Sequence, residues 1–234
     1  MKISIITPTI RHEGLQIIAK ALRRQTFQDF EWIVVSPEEP EHVTPSLYLK
    51  DPEKNPGDVW TLNKSYNLAI KHASAPLIVS WQDWTFANPD VLEKFYFHYT
   101  QEPKTLISAV GNKYADDSWS VMNWKDPRER DDQGTFYPSY FSDIEWNLCS
   151  CPKQAIIDVG GFDESLDAYF GMDAYGVNDR INMLGTYDFK IDQTIKSFSL
   201  EHGRPDNWEE KNAIHGPYAE KRKHYLLNPV LSYI

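Results

Sequence analysis

The chain has 234 residues, 41% hydrophobic and 25% charged, enough for one sizeable α/β core. Its net charge of −10 argues against nucleic acid or an anionic membrane as the main partner. No run approaches the roughly 18 apolar residues of a membrane-spanning helix, and aromatic residues reach 14%, which serves either a large core or a binding face.

The predicted elements follow in chain order. "KISIIT" is a β-branched run that reads as a buried strand stopping at Pro8. "EGLQIIAKALRRQT" carries Leu15, Ile18, Ala19 and Leu22 at helical spacing with basic residues late. "FEWIVVS" is a second buried strand, so the three form a right-handed crossover with parallel strands. Residues 36–58, rich in proline and acid, read as loop with one short strand at 46–49. "VWTLNKSYNLAIKHA" is a helix, "APLIVSW" an apolar strand, and "NPDVLEKFYFHYT" a helix capped by Asn88 with Pro89 at its first position. "KTLISAVGN" is another strand. Residues 112–142 lose periodicity and read as a long loop or lid. "IEWNLCSCP" reads as a strand, "PKQAIIDVGG" as a short helix ended by glycines, "MDAYGVNDRINMLG" as a further helix, and "DFKIDQTIKSFSLEHG" as a strand leading to His202.

Cys149 and Cys151, adjacent on one strand face, read as free thiols of a reducing compartment. With no signal-like N-terminus the expected location is cytoplasmic. The C-terminal "HYLLNPVLSYI" is expected to dock as a tail, with peripheral membrane contact as the alternative.

In open α/β sheets ligands bind beyond the carboxyl ends of the parallel strands. "TPT" at 7–9, "SPEE" at 36–39 and "QDW" at 82–84 are three such ends, so they should lie side by side. Asp83, between Trp81 and Trp84, is then expected in the ligand crevice rather than in the core.

The order of these features resembles the family 2 glycosyltransferases with the GT-A fold. The opening "ISIITPTI" through "RRQTFQDFEWIVVS", then "SYNLAIKHASAPLIVSWQD", "VGGFDESL" and "GMDAYGVNDRINMLG" stand in the family's order over residues 2–202. The resemblance implies an α/β, Rossmann-like, mostly parallel sheet flanked by helices in a single compact domain. Residues 1–110 would form the nucleotide-sugar half, 111–202 the acceptor half with its loop at 112–142, and 203–234 a tail. The sequence departs from the family where Gln82-Asp83-Trp84 replaces an Asp-x-Asp, where Ser36 replaces an acid (with Glu38 and Glu39 nearby), and where Met172-Asp173 replaces an acidic pair.

The implied chemistry is metal-dependent sugar transfer from a nucleotide-sugar, UDP- or GDP-linked, to a glycan or other hydroxyl acceptor. The leaving diphosphate needs a cation, Mn²⁺ or Mg²⁺, expected on Asp83 with His202 as second ligand and Glu201 in reserve. Asp173 matches the family's base, which implies inversion. Thr7, Pro8, Thr9, Arg11, Glu38, Asn63 and Lys64, together with Asp83, are expected around the nucleotide. Trp84, Trp119, Trp124, Asp163 and Glu164 are expected to meet sugar or acceptor. The alternative is a non-catalytic sugar- or nucleotide-binding relative of the same fold, which the lone acid in Gln82-Asp83-Trp84 favours and a retained Asp173 disfavours.

Overall fold

The computed structural model describes residues 1–169, 173–201 and 215–234. Strand β1 (Ile3–Pro8) is wholly buried and pairs in parallel with β2 (Phe30–Ser36) on one side and β4 (Leu77–Trp81) on the other. A short 3₁₀ turn over His12–Gly14 leads from β1 into α1 (Leu15–Arg23), whose Leu15, Ile18, Ala19, Ala21 and Leu22 are buried, the apolar stripe that a period of 3.6 demands. Strand β3 (Leu47–Lys50) extends the parallel run beside β2, and α2 (Leu62–His72) returns the chain to β4.

The remaining elements are β5 (Thr85–Ala87), α3 (Val91–Gln101), β6 (Thr105–Tyr114), β7 (Met122–Trp124), β8 (Phe136–Pro138), β9 (Leu148–Pro152), α4 (Lys153–Asp158), α5 (Ala174–Met183), β10 (Asp188–Leu200) and α6 (His215–Tyr225). Among the described residues ten strands join one sheet in the order β3-β2-β1-β4-β9-β6-β10-β5, with β7 on β6 and β8 on β10. β3, β2, β1, β4, β6 and β10 run the same way, and β9 and the three-residue strands β5, β7 and β8 oppose them. The expected α/β sheet of mostly parallel strands is therefore present. Strand alternation sends Ile6, Ile33, Val35, Ile78, Cys149 and Cys151 to a core under α2, α4 and α5. It sends Ile3, Ile5, Trp32, Val34, Val79 and Trp81 to the opposite core, under α1 and α3, as period 2 requires in a sheet covered on both faces. Both cysteines are free, and among the described residues no helix is long and apolar enough to cross a membrane.

Two expectations need correction. Helix α3 begins at Val91 with Asp90 at its N-cap, not at Asn88 and Pro89. The carbonyls of those two residues instead accept from Gln25 Nε2 at 2.8 Å and Thr26 N at 2.8 Å, tying the segment to the end of α1. Residues 112–142 are not one free loop. β6 runs on to Tyr114, β7 and β8 join the sheet, and the middle is pinned by a buried pair. Arg128 Nε donates to Asp126 Oδ1 at 3.0 Å and Arg128 Nη1 to the Asp143 carbonyl at 2.6 Å, while Asp126 accepts from Gly111 N at 2.9 Å. Buried ion pairs leave no hydrophobic period, so the segment reads as loop in the sequence.

The C-terminal residues dock as a tail. Leu231 N donates to the Val159 carbonyl at 2.9 Å and Tyr233 N to the Gly160 carbonyl at 3.0 Å. Gly160 has φ +70°, and a Cβ there would stand 1.8 Å from the Leu231 oxygen. The first glycine of "GGFDE" therefore exists both for its left-handed backbone and for the tail's close approach.

Candidate active site

At the carboxyl end of the parallel strands, Thr9, Arg11 and Asp83 converge. Asp83 is 5% exposed. It accepts from Arg11 Nε at 2.9 Å, Arg11 Nη2 at 2.7 Å and the Thr9 hydroxyl at 2.5 Å. The guanidinium thus grips both carboxylate oxygens, the strongest geometry such a pair has. The ends of β1 and β4 lie side by side, as the crossover topology requires. Thr7, in contrast, turns inward: its hydroxyl donates to the Trp81 carbonyl at 2.7 Å and accepts from Trp32 Nε1 at 3.0 Å. With Pro8 also buried, Thr7 holds the sheet end together and its hydroxyl is engaged inside the sheet. Glu38 is exposed beyond β2, and its carbonyl accepts from Ser36 Oγ at 2.7 Å.

The tryptophans that flank Asp83 differ. Trp81 is fully buried, with Nε1 donating to the Thr85 carbonyl at 2.8 Å. Trp84 is half-buried at φ +59°, a conformation costly for a bulky side chain and typical of functional turns. Gly14 makes room for it, since a Cβ on Gly14 would lie 2.7 Å from Trp84 Cδ1. Trp84 Nε1 is buried without a partner.

The N-terminal turn of α2 faces the same crevice, because α2 starts at the end where β3 finishes. Asp51, just past β3, accepts from the hydroxyls of Thr61 and Ser65, and Lys64 is paired with Asp58. Asn63 is wholly buried and bridges two acids: its Nδ2 donates to Asp167 Oδ1 at 3.0 Å, and its Oδ1 accepts from Asp173 N at 2.8 Å. Asn63 and Lys64 thus serve the frame of the site rather than pointing free into the crevice.

Asp173 is the N-cap residue of α5 and is 1% exposed. Its Oδ2 accepts from Arg180 Nη2 at 3.0 Å and from Asp163 N at 2.8 Å, and its Oδ1 has no partner. Burial raises its pKa to about 6 against the opposing pull of Arg180. A Cβ on Gly176 would fall 1.9 Å from Oδ1, so glycine is required one turn into the helix. Asp167 is raised to about 7 by burial, although the backbone N–H groups of Asn63 and Lys64 pull the other way.

Asp163 and Glu164, expected to meet acceptor hydroxyls, are engaged internally. Asp163 accepts from Ser165 Oγ at 2.6 Å, Lys221 Nζ at 2.8 Å, Tyr233 OH at 3.1 Å and Tyr225 OH. Burial alone would raise its pKa, but these donors outweigh it and hold the group at about 2. It is the anchor of α6 and the tail. Glu164 accepts from Asn67 Nδ2 at 2.9 Å. Trp124 lies exposed on β7 under Lys113. Trp119 stacks on Phe86 beside α1, so the two loop tryptophans do not share one wall.

His202, the expected second metal ligand, lies outside the described residues, as does Met172 beside Asp173. Among the described residues no three His, Cys, Asp or Glu side chains gather as a metal-binding group. Asp83, the one acid at the strand tip, has both oxygens bonded to a cation already. While that pair is closed, the donor set described does not fit a divalent ion. Sequence reasoning missed Asp167, Arg180, Asp51 and Asn67. Asp167, in "DESLDAYF", and Arg180, in "VNDR", stand near the motifs in the sequence, but only the fold puts Asn63 between Asp167 and Asp173.

No protein-family model matches the chain, and no curated protein matches it. Solved structures do. TarS of S. aureus, residues 1–349 in complex with UDP, superposes with a TM-score of 0.64 at 14% identity over 96% of this chain and 72% of that one. The same 1–349 fragment of TarS, in a second structure, gives 0.61 at 15% identity over 86% and 60%. TarS itself gives 0.64 at 16% identity over 100% and 41%, so this chain spans less than half of that longer protein. At this level of identity the likeness shows the fold alone: the chain shares the fold of TarS.

Proposed function

We propose that this chain transfers a sugar from a nucleoside-diphosphate sugar, with UDP as the first nucleotide to try, to a hydroxyl acceptor with inversion at the anomeric carbon. The observation that carries the reading is Asp173. It is a carboxylate with a pKa near 6, one oxygen held by Arg180 and Asp163 N, and the other unpartnered. A general base works best with a pKa close to the operating pH and a fixed orientation. In the proposed step the acceptor oxygen bonds to the anomeric carbon as the bond to the diphosphate breaks. The diphosphate leaves with the electron pair, and the acceptor proton passes to Asp173 Oδ1. The likeness to a UDP complex supports the choice of nucleotide. The convergence of Thr9 and Arg11 on Asp83 at the carboxyl end of the parallel strands supports a nucleotide site there.

A divalent cation on Asp83 and His202 belongs to this reading only if Arg11 releases Asp83, so no step is routed through it. The second reading, a binder without catalysis, is favoured by the enclosure of Asp173 and by the closed Arg11–Asp83 pair. A thermal-shift series separates the readings: UDP, GDP and their sugars, each with Mn²⁺, Mg²⁺ or EDTA, followed by a transfer assay. A ligand at 100 times its Kd stabilises the fold by about 2.7 kcal/mol. The proposal expects a UDP shift, turnover of a UDP-sugar, and loss of turnover in Asp173→Asn with the UDP shift retained. A shift without turnover in the wild type supports the binder. No shift with any nucleotide overturns both.

A further inference from the structure

A second cavity, of about 350 Å³, lies on the flank of α1. It is lined by Lys20 and Arg23 from the helix and Arg24 at its C-cap, by Phe86 from β5, and by Trp119 and Asp117 from the loop after β6. Residues 20, 23 and 24 share one helix face by their spacing, and all three are exposed. In a chain with 34 acidic and 24 basic residues, cations commonly find a carboxylate. Yet among the described residues neither Arg23 nor Arg24 has an ion pair. Lys20 alone meets an acid, Asp117, at 3.9 Å, with side chains 62% and 68% exposed, a contact that solvent largely screens.

The basic end of a helix answers its dipole, and that accounts for some of this charge. It does not account for the aromatic wall. Trp119 sits at φ +57°, a strained position for a large side chain. It is held there by Phe86 stacked at 5.6 Å, Tyr114 edge-on at 5.7 Å and Phe198 at 5.9 Å. Arg24 lies over the Phe86 ring at 5.6 Å. An indole fixed in a strained turn thus stands beside two arginines that make no ion pair among the described residues, although Asp117 lines the same groove. The groove's volume is at the small end of ligand pockets, suited to one or two rings.

We propose that this groove binds an anionic segment of a glycan, with a phosphate or carboxylate group at Arg23 and Arg24 and a sugar ring against Trp119. That the ligand is a glycan rests on the transferase reading above; that it is anionic rests on the groove alone. The net charge of −10 opposes an extended polyanion surface but not one charged group in a local basic pocket. Ile17, also in the lining, is one helical turn beyond Gly14, which packs on Trp84 next to Asp83. The groove therefore lies on the helix that leads away from the crevice, so a glycan bound there would be held away from the bond being made.

The test uses the full chain and three probes: maltotetraose, maltotetraose carrying a 6-phosphate, and vesicles containing phosphatidylglycerol. Binding is read by calorimetry, and at the indole N–H of Trp119 by NMR. The proposal expects the phosphorylated probe to bind at least ten-fold tighter than the neutral one, more weakly as salt rises, and to shift the Trp119 signal. Arg23→Gln with Arg24→Gln should cost at least ten-fold for the phosphorylated probe, and Trp119→Ala should weaken both sugars. UDP binding should be unchanged in these variants. Equal binding of the two sugars, or an undiminished affinity in the double variant, overturns the proposal. Vesicle binding that depends on the two arginines, without oligosaccharide binding, overturns it in favour of a membrane surface. If the phosphorylated probe binds as expected while UDP fails to bind the wild type, the groove stands and the transferase reading falls.

Discussion

Asp173 and Asp83 represent two fates for an acid at the end of a sheet. Asp83 is matched by a guanidinium on both oxygens; Asp173 keeps one oxygen unmatched and a pKa near 6. If Asp173 is the base, it must be ionised to work, so kcat/KM should fall as pH drops through about 6 and level off above about 7. A pH–rate profile flat between pH 5 and 8 would remove Asp173 from that role. Gly176→Ala offers a second check, because its methyl would enter the space of Asp173 Oδ1. Overpacking of this kind costs roughly 1–3 kcal/mol, and turnover should fall more than the melting temperature suggests. Both measurements address one side chain, whose residue type and position the sequence supplied. Its burial and its contact with Arg180 came from the fold.

At the scale of elements, two segments that read as irregular are held by charge. Arg128 and Asp126 pin the stretch between β7 and β8 from beneath. Arg128→Ala leaves Asp126 buried and unpaired, and removing one partner of a buried pair costs about 3–5 kcal/mol. Urea unfolding should show a stability lowered by that amount, read as a lower midpoint at unchanged m. The tail is the second case. Lys221, Tyr225 and Tyr233 all meet on Asp163. Because the folded pKa of Asp163 is about 2 and an ordinary aspartate titrates at 3.8, its contribution is complete above about pH 4. It is lost as pH falls through 2. The stability difference between wild type and Asp163→Asn should therefore be constant from pH 7 to 5 and shrink below about 4; a difference that grows on acidification would reverse the assignment. Gly160→Ala, with its Cβ in the Leu231 carbonyl, should release the tail and cost more than the ~1–2 kcal/mol of a left-handed alanine, read as a lower melting temperature.

For the whole molecule, the sequence by itself determined the longer strands and the helices up to β6, though not the three-residue β5 or the start of α3, because there the apolar periods of 2 and 3.6 are clean and the turns are marked by Pro and Gly. It also determined that the strand ends bearing Thr9 and Asp83 would meet, since short crossovers between parallel strands leave no other arrangement. The resemblance in motif order implied a mostly parallel α/β sheet flanked by helices, and that is the fold this chain has and shares with TarS. Only the tertiary structure decided the rest. Thr7 turns into the sheet, Asn63 becomes a bridge between Asp167 and Asp173, Asp163 becomes an anchor for the tail, and Trp119 moves to the flank of α1. These are contacts between residues as many as 110 positions apart, made by polar and aromatic groups that carry no periodic signal. A one-dimensional pattern records what a segment buries, whereas the partner of a buried charge is chosen by whichever segment the fold brings against it.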